Sequence, residues 1–268
     1  MNFNLDKELR QDKPFLIAGP CVAESTEIMR KVAEKLKSLS DSYGFTLIFK
    51  ASFEKANRLS GDSYHGPGID EGLKMLQAIG KEFDLPLLTD VHESSQISAV
   101  AEVADIIQIP AFLCRQTELV RSAGATGKWV NIKKGQFLAP EDMTPLVKKT
   151  ESKRVMVTER GVSFGYRALV VDFRSLVLMR KSGALVVFDA THSLQQPGAA
   201  GGSSSGQPEF VIPFARAAAA VGVDGMFVET HPNPAQAKSD SLAMIPLSEM
   251  EKLINTVITI DTARKEVE

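Results

Sequence analysis

The 268-residue chain has only two cysteines, Cys21 and Cys114. Two thiols cannot build the disulfide framework that holds small secreted domains together, and a chain of this length does not need one. An excess of charge is missing too. Lys and Arg number 31 against 33 Asp and Glu, a net charge of −2. A near-neutral chain has no general reason to bind nucleic acid or an anionic membrane, so basic residues that serve an anionic ligand must be gathered locally. No apolar run approaches the roughly 20 residues of a membrane span. The opening stretch MNFNLDKELRQDKPF is charged and lacks the apolar centre of a signal peptide. Together these absences predict a soluble chain in a reducing, intracellular setting, with no membrane partner and no nucleic-acid partner. There is no internal repeat and no domain linker.

What is present is a strict alternation. Short apolar runs at 15–18, 46–50, 85–89, 106–109, 129–132, 155–158, 185–188 and 225–228 predict strands. Between them lie amphipathic segments near 25–40, 69–82, 94–103, 116–124, 141–150, 169–181 and 209–221. In the first, Ile28, Met29, Val32, Ala33, Leu36 and Leu39 share one face. A closing helix is expected from Ser248, with Glu251 completing a capping box and Leu253, Ile254 and Val257 facing inward. Eight β-α units with no leftover strand predict an α/β protein, a closed (β/α)8 TIM barrel in a single domain over 1–268, with 1–14 as a short N-terminal extension. A doubly wound open sheet is the alternative. It calls for a glycine-rich phosphate turn after the first strand, and Gly19-Pro20-Cys21 is not one.

In a barrel the chemistry sits at the C-terminal ends of the strands. Those ends read Cys21, Lys50, Asp90 with His92, Gln108, Lys133 with Lys134, Arg160, Asp189 with His192, and Glu229 with His231. All are ionisable or polar. The seventh leads into the stretch FDATHSLQQPGAAGGSSSG at 188–206, where acid, hydroxyl and imidazole precede a Gly/Ser segment. That segment is a candidate lid, and its composition equally suits a surface loop.

Two chemical subsets stand out. Cys21, His192, Glu229 and Asp240 supply a thiol, an imidazole and two carboxylates, a ligand set for a divalent transition metal such as Zn, Fe(II), Mn or Co. They come from separate strands, so no short spacing motif defines the site, and each alone also suits a packed or surface position. Lys50, Lys55, Arg58, Arg115, Lys133 and Arg160 form the second subset. Arginine forks and lysine point charges suit carboxylates and phosphates, and six cations imply more than one anionic group. The segment KASFEKANRLS at 50–60 places three of these cations on one loop. Tyr64 and His65 belong to a plain loop, Cys114 to packing, and Trp129 to the structural start of a strand.

Eight motifs in order, IAGPC, FKASFEKANR, LLTDVHE, IIQIPAFLCRQT, NIKKGQF, ERGVSFGY, DATHSLQ and ETHPNPAQAKSD, resemble the 3-deoxy-D-manno-octulosonate 8-phosphate synthases over nearly the whole chain. The KANR segment differs from the KPRTS-type loop of the related DAHP synthases. The resemblance implies a (β/α)8 barrel, usually a cytoplasmic homotetramer serving lipopolysaccharide precursor synthesis. The implied reaction condenses phosphoenolpyruvate with D-arabinose 5-phosphate and water, with C–O cleavage of phosphoenolpyruvate. It implies that Lys133 and Arg160 hold phosphoenolpyruvate, with Lys55 between the substrates and Gln108 close by. Asn57 and Arg58 would grip the sugar phosphate, with Arg115 supplied across a subunit interface. Lys50 and Asp90 would line the reacting centre. Cys21, where metal-free relatives carry Asn, implies the metal-dependent class, with Cys21, His192, Glu229 and Asp240 as ligands. Leu59 and His65 depart from the family pattern, which often has Ser and Arg there. Other expectations remain open at this stage: a relative using another sugar, as in DAHP or sialic acid synthases, a metal-dependent aldolase-type lyase, or a catalytically silent barrel that binds sugar phosphates.

Overall fold

Eight parallel strands follow one another around a closed cylinder. The computed structural model describes residues 4–56, 64–166, 168–200 and 203–268. The strands are β1 (Phe15–Gly19), β2 (Leu47–Lys50), β3 (Leu87–Asp90), β4 (Ile106–Ile109), β5 (Trp129–Lys133), β6 (Val155–Glu159), β7 (Leu185–Asp189) and β8 (Gly225–His231). They pair in chain order, and β1 pairs with both β2 and β8, which closes the barrel. At the seam Leu16 sits opposite Leu47 on one side and Met226 on the other. The helices on the outside are α1 (Thr26–Tyr43), α2 (Ile69–Phe83), α3 (Ile97–Val103), α4 (Thr117–Ala125), α5 (Met143–Lys149), α6 (Arg174–Met179), α7 (Val211–Val221) and α8 (Met250–Val267).

The helices form where the sequence repeats apolar residues at helical spacing. In α1, Met29, Val32, Ala33, Leu36 and Leu39 are buried against the sheet, Ser25 Oγ accepts the Ile28 N–H, and Gly44 ends the helix in the left-handed region. Three expectations need correction. The sixth helix was expected over 169–181, but Leu169–Val170 pairs as a short strand with Val162–Ser163, so α6 starts only at Arg174. A short apolar pair beside a helix has no periodicity of its own to separate it. The Gly/Ser segment is expected as an irregular loop, either a lid or plain surface. It is an antiparallel hairpin of Gln195–Ala200 and Ser203–Gly206, which satisfies its backbone internally. Ser248 does not cap α8. A single 3-10 turn, Leu247–Glu249, follows Pro246, so Ser248 lies inside that turn rather than ahead of the helix.

Strand alternation sorts the barrel residues. Leu16, Ala18, Leu47, Phe49, Ile107, Val130, Val157, Val186 and Val228 face outward into the layer under the helices. Phe15, Ile17, Ile48, Leu88, Ile106, Trp129, Met156, Leu185, Val187 and Phe227 form a separate buried cluster inside the barrel. At the bottom, Leu9 joins this cluster just after the helical turn Leu5–Glu8. Asp6 accepts the Trp129 indole N–H at 2.8 Å and pairs with Arg154 at 2.6 Å. The N-terminal residues thus stopper the lower end of the barrel. Trp129 is buried and structural, as its position implied. Among the described residues, no helix is long and apolar enough to cross a membrane.

Candidate active site

The same alternation carries the apolar inner row upward into a charged one. Two residues above Ile48 comes Lys50, above Leu88 Asp90, above Ile106 Gln108, above Val187 Asp189 and above Phe227 Glu229. The row continues from Asn131 to Lys133 and from Thr158 to Arg160. Gly19 makes room for this crowding: a Cβ there would lie 2.0 Å from the Lys50 carbonyl oxygen. A cavity of about 330 Å³ opens at this end, lined by Lys50, Lys55, Asp90, Gln108, Lys133, Arg160, Asp189, His192 and Asp240 among others.

Its charges are paired across strands. Lys50 Nζ lies 2.6 Å from Glu229 Oε1 and donates to the Cys21 carbonyl at 3.1 Å. Lys133 Nζ pairs with Asp189 Oδ2. Asp189 also accepts the backbone N–H groups of Thr191 and His192 and meets His192 Nδ1 at 2.8 Å. That contact leaves His192 Nε2 facing Glu229 Oε2, at 3.7 Å. Asp90 Oδ2 lies 3.2 Å from His92 Nε2. Phe227 is the floor: Lys133 Nζ sits 3.2 Å and Lys50 Nζ 5.5 Å from its ring centroid, a geometry in which the ring face attracts the cation. Lys55 Nζ donates to Ser52 Oγ at 2.9 Å, and the Lys55 N–H donates to the His65 carbonyl at 2.8 Å, closing the base of its loop. Thr158 donates to Asn131, and Asn131 donates to Gln108 Oε1 at 3.0 Å. Gln108 is thereby held with its amide N–H groups free to serve the cavity.

Burial sets the protonation states. It lowers Lys133, which Asp189 only partly restores, to a pKa of about 8. Burial also lowers Arg160. Burial alone would lower Lys55, but the acidic groups of Cys21, Glu229, Asp90 and Asp240 outweigh it and push its pKa up. For the carboxyls, burial acts upward and is overcome. His92, Lys55 and Lys50 hold Asp90 well below the usual carboxylate range; His192 and Lys133 do so for Asp189, and Lys50, His192 and Lys55 for Glu229.

Beside the cavity, at the seam between β1 and β8, Cys21 Sγ lies 3.1 Å from Asp240 Oδ2 and 2.9 Å from Ser239 Oγ. Ligand-type atoms of Cys21, Glu229 and Asp240 lie within 4.8 Å of one another. Burial and the two carboxylates push the Cys21 thiol up. Glu229 Oε2 is buried without a hydrogen-bond partner among the described residues. Three acidic groups crowded around an unsatisfied oxygen fit a divalent cation, whose charge would reverse the local balance.

The structure therefore gathers Lys50, Lys55, Asp90, Gln108, Lys133, Arg160 and His192 around one cavity, with Cys21, Glu229 and Asp240 grouped at its side. His192 stands next to that trio, with Nδ1 held by Asp189 and Nε2 3.7 Å from Glu229 Oε2. Arg115 is exposed and outside the cavity lining. Asn57, Arg58 and Leu59 lie outside the described residues. Sequence reasoning missed Phe227 as the floor, the Thr158–Asn131–Gln108 chain, and Ser239. The first two were available as the inward positions two below Glu229, Arg160 and Lys133. Ser239 carried no signal beyond its neighbour Asp240.

The sequence matches the DAHP synthetase I family over residues 7–266. It is 54% identical over 264 residues to a protein of Xanthomonas axonopodis pv. citri named 2-dehydro-3-deoxyphosphooctonate aldolase, covering 97% of this chain and 96% of that protein. It is 55% identical over 255 residues to a protein of the same name from Fusobacterium nucleatum, covering 94% and 92%.

Proposed function

The chain belongs to the DAHP synthetase I family, and from that premise and the geometry of the barrel mouth we propose that it condenses phosphoenolpyruvate with D-arabinose 5-phosphate and water. The products are 3-deoxy-D-manno-octulosonate 8-phosphate and inorganic phosphate. The name shared by its relatives supports the substrates. An aldol disconnection of a 2-dehydro-3-deoxy-octonate 8-phosphate between C3 and C4 gives a three-carbon pyruvyl unit and a pentose 5-phosphate. The observation that carries the reading is the concentration of Lys50, Lys55, Lys133 and Arg160, all buried, around one cavity in a protein of almost no net charge. Two substrates that together carry a carboxylate and two phosphates account for that concentration.

In this reading Lys133 and Arg160 bind phosphoenolpyruvate. Arg160 donates to Gln195 through Nη2 at 2.8 Å, and its buried Nη1 has no acceptor among the described residues, which suits an incoming oxyanion. Lys55 lies between the substrates, and Gln108 offers its oriented amide. Asn57 and Arg58, by the family pattern, hold the sugar phosphate. C3 of the enol forms the new bond to the aldehyde carbon, whose π pair moves to oxygen and takes up a proton. Water adds at C2, and phosphate departs by C–O cleavage. Lys50 and Asp90 line the centre where these charges develop, and fixed charges there need no reorganisation during the reaction.

Cys21, Glu229 and Asp240, with His192 through Nε2, would hold a divalent transition metal. Such an ion supplies Lewis acidity to a carbonyl or water oxygen. Asp189 holds His192 by Nδ1 and so fixes which nitrogen is offered. Assembly into a homotetramer is part of the reading. It is supported by Arg115, which is exposed outside its own cavity, and by Phe112 and Phe137, 57% and 56% exposed, the first of them lining the mouth. The free thiols of Cys21 and Cys114 suit the cytoplasm.

The test is the loss of phosphoenolpyruvate absorbance in purified protein, with arabinose 5-phosphate or with erythrose 4-phosphate, each with and without chelator. Turnover with arabinose 5-phosphate alone, stopped by chelator and restored by a divalent metal, is expected. Turnover with erythrose 4-phosphate would move the protein to the DAHP-forming reaction. Turnover indifferent to chelator would remove the metal from the reading.

A further inference from the structure

A second buried pair sits on the same seam, away from the cavity lining. Glu24 follows Cys21 by three residues in the segment after β1. Its Oε1 lies 2.6 Å from His231 Nε2, at the end of β8, and its Oε2 accepts the Lys238 backbone N–H at 3.0 Å. His231 Nδ1 accepts the Asn233 N–H at 3.0 Å, so the ring proton is on Nε2 and points at Glu24. The two side chains are only 7% and 4% exposed. One carboxylate thus ties together both ends of the segment between His231 and Lys238. Ser239 and Asp240, whose side chains meet the Cys21 thiol, come next.

Asp240 needs such a tie. Its backbone lies in the left-handed region at φ +46, where a residue with a side chain stays only if its surroundings over-determine it. On the far side, its carbonyl accepts the N–H groups of Ala243 and Met244 at 2.9 and 3.3 Å. On the near side, the Lys238 N–H held by Glu24 is the fixed point.

We propose that Glu24 is a positioning residue that holds Ser239 and Asp240 against Cys21 and thereby sets the affinity of the Cys21–Glu229–Asp240 cluster for a divalent metal. The proposal rests on the metal reading given above. Glu24 acts through the chain segment it fastens and through His231. Groups that support metal ligands in this way typically change affinity by about 10–100-fold when altered.

The experiment is a competition titration of metal-free protein with Zn²⁺ against a fluorescent chelator, for wild type and Glu24→Gln. Glutamine keeps the size but turns an NH2 toward one of the two donors that Glu24 serves. The expected result is Zn²⁺ affinity weakened about 10–100-fold, with an unchanged far-UV spectrum of the metal-free protein and activity regained at high Zn²⁺. A residue that only stabilised the fold would lower the melting temperature and leave the affinity of folded protein alone, and that result overturns the proposal. Should metal-free Glu24→Gln not fold, Glu24→Asp, which keeps the charge and withdraws it by one methylene, takes its place with the same two outcomes. Wild-type protein that binds no Zn²⁺ would overturn the metal reading and this inference together. Equal, tight binding by wild type and variant would overturn this inference alone.

Discussion

The lower and upper halves of the barrel interior are built from the same strands and behave oppositely. Below, Phe15, Ile17, Ile48, Leu88, Ile106 and Trp129 pack without charge, and Leu9 closes the end. Higher on the same strands the interior turns polar and charged: Lys50 with Glu229, Lys133 with Asp189 and Asp90 with His92, beside Gln108, Asn131 and Thr158. Each large buried apolar side chain below contributes about 1.5–3 kcal/mol. A buried ion pair above contributes little net stability, because desolvation offsets the attraction. The lower half therefore stabilises the fold, and the upper half uses that stability to keep charges dry. Phe227 is the boundary, belonging to the apolar cluster while its ring face meets the ammonium of Lys133.

Three substitutions or conditions probe that division. The largest effect is expected from Lys133→Met. It should lower kcat/KM for phosphoenolpyruvate by about 10²–10³-fold, and it takes the ammonium away from the buried Asp189 carboxylate, which keeps only its Thr191 and His192 contacts, at a cost of up to about 3–5 kcal/mol. Adding Asp189→Asn, which keeps an acceptor for the Thr191 and His192 amides, should return most of the stability in a urea melt and none of the activity. If the double variant recovers activity, the upper half is a stability element after all.

A smaller effect is expected from pH. Lys133 is held near a pKa of about 8 by burial, below its ordinary value. The free enzyme loses that cation as the pH rises through this value, so kcat/KM for phosphoenolpyruvate should fall above about pH 8. The sign for stability is the reverse. Between the folded-state and unfolded-state pKa values the unfolded chain binds more protons, so this group favours folding increasingly as pH rises through that window. A kcat/KM profile flat to pH 10 would remove Lys133 from phosphoenolpyruvate binding. The smallest effect is expected at the bottom: Trp129→Phe removes the indole donor to Asp6 and should cost about 1 kcal/mol with activity unchanged. An accompanying loss of kcat would show the two halves to be coupled.

Much of this division was legible in the residues. The eight apolar runs and the polar residue ending each gave the barrel and its charged rim, since strand period and barrel topology leave one place for them. Cys21 and Asp240, paired in one ligand set from the sequence, lie 3.1 Å apart. What the sequence could not give were contacts set by tertiary geometry. The hairpin at Gln195–Ala200 and Ser203–Gly206 carries too few side chains to show a period. Phe227 reads as one more strand residue until the register places it under Lys133. Glu24 and Ser239 act through backbone and hydroxyl contacts 214 and 218 residues away in the chain, and no local pattern encodes such a partner.

The barrel closes where β1 meets β8, and Cys21, Glu229, Asp240, Glu24 and His231 all lie along that join. Its two edges are the first and last strands to be made. Such contacts join residues 207 to 219 apart in the chain, and pairings this distant are slow to form. A growing polypeptide therefore carries Lys50, Lys55, Lys133 and Arg160 well before it carries Glu229 and Asp240. Uptake of a divalent ion by refolding protein should appear last and mark the moment the cylinder becomes a ring.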